Sequence, residues 1–287
     1  MSFVDLHVHS NASDGTFTPR QVVELAKEAG LSAFALTDHD TVDGVPQAQE
    51  EGKRLGVEVI PGIEVPSAYE GVEIHILGLF VNPDSSQLND MMIEMRKRRD
   101  RRNEEMLARF AKEGICFTTE ELCGGNPDTI LTRTHVARAL LERGFGTSIK
   151  QIFQKYLAYG GPYCPMKDPL DPQFVVNTLM AAGAFVSLAH PFQYKLGDKK
   201  TEELICLMSG FGMKGLEVYH SSHNKLEIQK LQEIASRLKL LPTGGSDFHG
   251  ANKPDISIGV GRGNLHISSL LLEDIKATLQ KTDTKCS

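Results

Sequence analysis

The 287-residue chain contains no run approaching the roughly 20 apolar residues that cross a bilayer, no Cys-x-x-Cys pair and no excess of positive charge. The first absence argues against a membrane-spanning helix. The cysteines, Cys116, Cys123, Cys164, Cys206 and Cys286, are scattered and odd in number. That is the usage of a reducing compartment, with the thiols as spectators. A formal net charge of −6 opposes a protein-wide electrostatic grip on nucleic acid but leaves room for a local basic patch facing phosphates. No charged leader with an apolar stretch precedes His7, so a signal peptide is not expected and the protein reads as cytoplasmic. Internal repeats and low-complexity tracts are lacking too. Gly259-Val260-Gly261-Arg262-Gly263 has neither the strand–loop–helix setting nor the following Lys-Ser/Thr of a phosphate loop.

With 40% apolar and 24% charged residues, the chain can fill a globular core as one large barrel or two modest domains. Strand and helix patterns alternate over the first 80 residues. Phe3–Leu6 predicts a strand. Thr18-Pro19-Arg20-Gln21 predicts a helix start, with a hydroxyl N-cap, proline at the first helical position and glutamine three residues after the cap. That helix stops at Gly30. Leu31–Leu36, Val57–Ile60 and Glu73–Val81 predict strands, and Val42–Leu55 a helix closed by Gly56. The rhythm returns later, with helices over Phe174–Ala182, Glu202–Ser209 and Lys225–Leu238. Strands are expected there over Phe185–Ala189, Leu216–Tyr219 and Leu240–Thr243. Seven strands with helical crossovers predict an α/β fold, a parallel TIM-like barrel one unit short. Residues 83–165 break this rhythm with helical patterns over Leu88–Glu113, from Thr134, and over Ile149–Tyr159. A small all-α insertion is therefore expected between barrel parts 1–82 and 166–287. Lys281–Ser287 reads as a frayed tail.

The informative residues follow the apolar runs. They are His7-Val8-His9, Asp38-His39-Asp40, Glu64, His75, His190, and Asp247 with His249. Strand C-termini of a barrel converge on one mouth, where imidazoles and carboxylates together make a multinuclear metal site. His7 and His9 alternate, so both rings can face one side. Alone, they would read as surface histidines; beside Thr37-Asp38-His39-Asp40 and Ser246-Asp247-Phe248-His249 on the same expected face, they read as ligands. A carboxylate has two oxygens, which makes Glu64 the candidate to bridge two cations and so generate hydroxide near neutral pH. Asp38 is read as orienting His39, and Asp40 as capping the helix that follows.

Asp5-Leu6-His7-Val8-His9-Ser10, Asp14-Gly15, Thr37-Asp38-His39-Asp40, Gly62-Ile63-Glu64, His75, Ala189-His190-Pro191 and Gly245-Ser246-Asp247-Phe248-His249 together resemble the PHP (polymerase and histidinol phosphatase) superfamily, over nearly the whole chain. The resemblance implies a distorted (β/α)7 barrel with up to three metal ions at its mouth. It implies nine ligands: His7, His9, Asp14, His39, Glu64, His75, His190, Asp247 and His249. Some relatives carry histidine where this chain has Asp14. Two to three divalent ions are expected, and these donors suit manganese, iron and zinc, with magnesium also open. The order of barrel, helical insertion and barrel is similar to the stand-alone PHP phosphoesterases active on nucleotides. Members of that subgroup release the 3′-phosphate of 3′,5′-bisphosphonucleotides, and some trim short oligoribonucleotides or the 5′ ends of RNA.

Thr132-Arg133-Thr134-His135 predicts a capped helix start that places Arg133 and His135 beside free backbone N–H groups, a setting for phosphate. His223 follows the sixth strand and is read as phosphate ligand or general acid; His220 reads as surface, and His266 as structural. Glu64, Asp247 and His223 are thus expected to carry catalysis, and Arg133, His135 and His223 to bind substrate. Arg96, Lys97, Arg98, Arg99, Arg101 and Arg102 are interleaved with acids and read as a solvated helix face. A stripe of them turned to the cleft would instead favour a substrate with several phosphates. The expected partner is a phosphorylated nucleotide such as a bisphosphonucleotide or AMP, with short RNA next and no obligate protein partner. The competing readings are a histidinol-phosphate phosphatase, a metal-dependent amidohydrolase and a non-catalytic metal-binding scaffold.

Overall fold

Seven strands stand side by side in chain order: β1 (Phe3–Val8), β2 (Leu31–Leu36), β3 (Glu58–Tyr69), β4 (Val72–Leu79), β5 (Phe185–Leu188), β6 (Gly215–His220) and β7 (Leu241–Gly245). The computed structural model describes residues 2–124, 131–166, 168–263 and 265–283. Past β7 the chain returns to β1, where Asp247 N donates to His7 O at 2.8 Å and His9 N to Phe248 O at 3.0 Å. The barrel is thereby nearly closed. Gly245 permits the approach, because a Cβ there would lie 2.2 Å from the His7 Cβ.

The period-two alternation of the strands divides the apolar residues between two layers. On β2, Phe34 and Leu36 pack outward with Val22 and Ala26 of α1 (Pro19–Glu28) and Ala48 of α2 (Val45–Leu55). Ala33 and Ala35 turn inward with Val4, Leu6, Ile60 and Leu79. The α1 capping box forms as the sequence predicts, Thr18 with Gln21. Helix α2 starts three residues later than expected, and its N-cap is Gly44. Asp40 is therefore not its cap.

β4 overturns the expectation of an all-parallel barrel, since it pairs antiparallel with both β3 and β5. The cause is local. Only Glu70 and Gly71 join β3 to β4, both with positive φ (48° and 78°), the backbone of a tight hairpin. A parallel crossover needs a dozen residues or more. The hairpin also explains why β3 runs on to Tyr69, past the expected end at Ile60: Gly62 to Tyr69 pair with β4. Glu64 and His75 accordingly lie inside strands rather than after them.

Because β4 runs away from the mouth, the chain leaves it at the far end of the barrel and returns along α3 (Ser86–Lys112). Leu88, Met91 and Met95 of α3 belong to the barrel's outer core. Met106 and Phe110 belong to a separate core with Leu122 of α4 (Thr119–Cys123), Val136 and Leu140 of α5 (Arg133–Glu142), and Ile152 of α6 (Ile149–Lys155). One helix thus carries both cores. α4 was not anticipated, and α6 ends four residues before the expected Tyr159. The remaining α-helices among the described residues are α7 (Pro172–Ala181), α8 (Asp198–Gly210), α9 (Lys225–Leu238) and α10 (Ser269–Asp283). Leu272 and Ile275 of α10 pack into the inner core. Lys281 to Asp283 form the end of α10 rather than a tail, and residues 284–287, with Cys286, lie outside the described residues. None of the four described cysteines is in a disulfide. No helix among the described residues is long and apolar enough to cross a membrane.

Candidate metal centre and substrate cleft

Glu64 is the hub of the barrel mouth, buried at 1% exposure. Its Oε2 lies 3.4 Å from His7 Nε2, 3.3 Å from His9 Nε2 and 3.1 Å from His39 Nδ1. Its Oε1 faces two other rings, at 2.8 Å from His75 Nδ1 and 3.1 Å from His190 Nε2. Each oxygen therefore has its own set of imidazoles. Asp247 Oδ1 adds a second carboxylate to His7 and His9, at 3.7 and 3.6 Å. Asp14 Oδ1 stands 3.2 Å from His249 Nε2 and 3.9 Å from His39 Nε2. All nine residues that the resemblance implies meet here, in overlapping groups of three or four whose donor atoms lie within 4.8 Å of one another.

The donor set fits divalent cations on the chain's own terms. His7 Nε2, both ring nitrogens of His9, His190 Nδ1 and Asp14 Oδ1 are buried without a hydrogen-bond partner, a costly state for protein groups alone. An imidazole and carboxylate set of this kind suits divalent metal cations.

Buried partners aim the ligands. His7 Nδ1 donates to Glu217 Oε1 at 3.0 Å, while Glu217 Oε2 accepts from His190 N at 2.6 Å. His249 Nδ1 donates to the Asp247 carbonyl at 2.9 Å, which leaves Nε2 for Asp14 or a cation. Glu73 Oε1 lies 2.8 Å from His75 Nε2. Asp5 accepts from His7 N, Ser246 N and Gly259 N, tying β1 to the residues after β7. Such contacts fix ring orientation and tautomer. Three non-glycine residues in the cluster or beside it, Asp40, His190 and Asp247, take left-handed backbone (φ 57°, 24° and 58°), the local strain that surrounding structure must impose.

The electrostatics follow from this crowding. Burial opposes ionisation of Glu64, yet His39, His75 and His7 hold it well below the ordinary carboxylate range. Asp247 is lowered well below its usual value against burial by Lys253, whose Nζ lies 2.6 Å from Oδ2, and by His249 and His7. His9, buried beside His249, is pushed well below an ordinary histidine. These groups present carboxylates and neutral imidazole, the forms that ligate metal.

Several expectations change. Asp38 does not orient His39; it accepts from Ser10 N, Ser10 Oγ and Ser13 Oγ at 2.6–2.8 Å and holds the loop that carries Asp14. Burial raises its carboxyl to about 6. Asp40 pairs with Arg99 of α3. His220 is not at the surface: it is buried, with Nε2 3.4 Å from Asp247 Oδ2, and joins His7 and Glu217 in a further ligand-type group. Its neighbour His223 donates from Nδ1 to Val218 O at 3.0 Å, and burial with His220 nearby lowers it to about 4. At neutral pH Nε2 then carries no proton, which does not suit the expected general acid. His135 is buried and spends Nδ1 on Thr132 N at 3.0 Å, closing its own helix's capping box. Neither histidine is among the residues that line the cleft. Glu217 has no place in the expectations drawn from the sequence, although a charge in the otherwise apolar run Leu216–Val218 was the available signal.

The cleft above the cluster has a volume of about 590 Å³, within the range of small-molecule sites. Asp14, His39, His75 and His249 form its floor, and Arg99, Arg102, Arg133, Lys150 and Lys253 line its walls. Arg99 and Arg102 correct the reading of the basic run as a solvated face. The Arg133 guanidinium stacks 3.5 Å from the Tyr159 ring centroid and donates to Leu157 O at 2.9 Å.

Residues 5–163 match the PHP domain family. A 3′,5′-nucleoside bisphosphate phosphatase from Chromobacterium violaceum is 32% identical over 261 residues, covering 90% of this chain and 91% of the relative. A 5′-3′ exoribonuclease from Haemophilus influenzae is 32% identical, with 85% and 89% covered. The crystal structure of an inferred metal-dependent phosphoesterase from Bifidobacterium adolescentis superposes with a TM-score of 0.84 at 29% identity, covering 96% and 95% of the two chains. This chain belongs to the PHP domain family, and its barrel and histidine–carboxylate cluster are those of a metal-dependent phosphoesterase.

Proposed function

We propose that the protein is a phosphoric monoester hydrolase that removes a phosphate from a nucleotide, using two or three divalent ions held by His7, His9, Asp14, His39, Glu64, His75, His190, Asp247 and His249. The observation that carries this reading is Glu64, with each oxygen facing a different set of imidazoles, two of which, His39 and His75, lie on the floor of a cleft walled by cations. Bound divalent ions would supply a water of lowered pKa and neutralise phosphoryl oxygens. The chain's own share is to keep Glu64 and Asp247 ionised, hold the ligand rings in register through Glu217 and Glu73, and attract an anion to the mouth. A scaffold would need neither the open cleft nor its basic walls. Residues 83–165 act in this reading as a recognition unit set between barrel parts 1–82 and 166–287, with Arg133 on the cleft wall.

The similarity to an exoribonuclease favours a second substrate form, the end of a short RNA. The test is release of inorganic phosphate from nucleoside monophosphates, nucleoside bisphosphates, histidinol phosphate and short RNAs, with manganese, iron(II), zinc and magnesium in turn. Fastest release from a nucleotide supports the reading. Faster cleavage of histidinol phosphate would replace it, and shortening of RNA without phosphate release would move the activity to diesters.

A further inference from the structure

Two of the six cations of the basic run turn to the cleft. Arg99 and Arg102 are three residues apart on α3, so their side chains share one face, and both line the cleft together with His39 and His75. The Arg99 side chain is only 10% exposed. Its Nη2 pairs with Asp40, but its Nη1 is buried without a partner. Arg102 donates through Nη2 to Asn103 Oδ1 at 2.8 Å, and its Nε is buried without a partner. Among the described residues Arg102 has no ion pair. The two guanidinium groups thus have one paired carboxylate between them, Asp40, and both stand on the cleft wall. The rest of the run behaves differently: Arg96 faces Asp43, Arg98 pairs with Glu94, and Lys97 and Arg101 are exposed.

Buried like charges side by side are unfavourable, and an unsatisfied buried donor adds to that cost. A tetrahedral dianion between the two forks would satisfy both donors and balance the excess charge, and guanidinium geometry matches phosphate bidentately. Neither group is a ligand-type residue, so they have no place in the metal cluster. Asp40, which holds Arg99, directly follows His39. That adjacency sets the arginine pair to one side of the cluster, within reach of one small molecule spanning both.

We propose that Arg99 and Arg102 form a subsite for a second phosphate of the substrate, distinct from the phosphoryl group cleaved at the metal cluster. The proposal rests on the phosphoesterase reading and narrows it to a substrate with two separated phosphates, such as a nucleoside bisphosphate. Arg99 carries the subsite through Nη1 while Asp40 keeps its position; Arg102 is the freer partner and the better one to change.

The test compares kcat/KM for a nucleoside 3′,5′-bisphosphate with that for p-nitrophenyl phosphate, which has one phosphate, in the metal-loaded enzyme. Arg102→Ala should lower the ratio of the two by about 30-fold or more, the scale for removing one member of a desolvated charge pair. Arg102→Lys, which keeps the charge without the planar fork, should lower it less. Lys97→Ala, on the exposed face of the same helix, should leave the ratio as it was. An unchanged ratio in Arg102→Ala overturns the subsite while leaving the phosphoesterase reading intact. If the wild-type enzyme hydrolyses no phosphoester, that reading fails, and calorimetric binding of the bisphosphate decides the subsite. Weaker binding to Arg102→Ala than to wild type then supports it, and equal binding overturns it.

Discussion

The Thr134 hydroxyl, on the first turn of α5, lies 3.3 Å from Asp14 Oδ2 and donates to it. A residue of the helical segment therefore touches a candidate metal ligand directly, although 120 positions separate the two in sequence. Asp14 is also held from the other side, because Asp38 fixes Ser10 and Ser13. The helical segment and the candidate metal centre therefore share a wall.

Glu64→Gln keeps the shape of the side chain at the hub of the cluster and removes its charge. Turnover should fall by at least about 1,000-fold, the scale on which loss of a central electrostatic group acts, with the circular dichroism spectrum unchanged. Elemental analysis of the wild-type protein should find two or three transition-metal ions per chain, and fewer in the variant. One ion or none in saturated wild type would sink the multinuclear reading.

Glu217→Gln tests a residue outside the nine expected ligands that holds His7 Nδ1 and His190 N. Metal affinity should drop by about 10- to 100-fold, read by competition with a chromophoric chelator. Unaltered affinity would leave Glu217 as a core residue only.

Arg133→Ala removes a guanidinium stacked on Tyr159 and Phe153. We expect kcat/KM on nucleotides to fall on the order of 10- to 100-fold, mostly through KM, with metal content kept. Equal losses on nucleotides and on p-nitrophenyl phosphate would place Arg133 at the cleaved phosphate instead.

Gly245→Ala should destabilise by about 1–3 kcal/mol, because its methyl would enter the space of His7 Cβ. Thermal unfolding and metal content should fall together, since the same movement displaces a ligand. A stable variant with full metal content would show that β7 can draw back from β1 without consequence.

His135 supplies a pH test. Burial, aided by Arg138 and Arg99, lowers it to about 4 against the attraction of Asp14. The unfolded chain has the ordinary value near 6.5 and so binds the proton first as pH falls. The stability linked to this group is complete above about 6.5 and is lost as pH drops toward 4. His135→Gln keeps a polar side chain at the cap and cannot titrate there. Wild-type urea stability relative to the variant should therefore decline by on the order of 1–3 kcal/mol between pH 7 and pH 4. A constant difference would mean that the ring is solvated.

The sequence made legible whatever depends on neighbouring residues. Thr18-Pro19 and Gln21 announced the start of α1, β2 and α9 fall where their patterns end, and the histidine–acid pairs marked the barrel mouth. Direction was hidden because it depends on a connection rather than a composition. Glu70-Gly71 looks like any turn until the pairing of Tyr69 with Val72 is known, and that turn decides that His75 enters from a reversed strand. Burial was hidden for the same reason. Nothing adjacent to Arg99 or Arg102 distinguishes them from Lys97 and Arg101; helix phase alone turns them inward. Thr118 and Glu121 form a capping box for α4, a helix absent from the expectations because its five residues are too few to show a period.

The 27 residues of α3 span about 40 Å, reaching from the closed end of the barrel to the cleft. Its lower part is keyed to one core by Leu88, Met91 and Met95, its upper part to another by Met106 and Phe110. The helix therefore works as a shaft with teeth cut at both ends. Deleting Lys97 alone would turn everything above it by about 100°, carrying Arg99 and Arg102 off the cleft and Phe110 out of its socket. Length changes in this shaft are compatible with both ends only in near-whole turns, three, four or seven residues at a time.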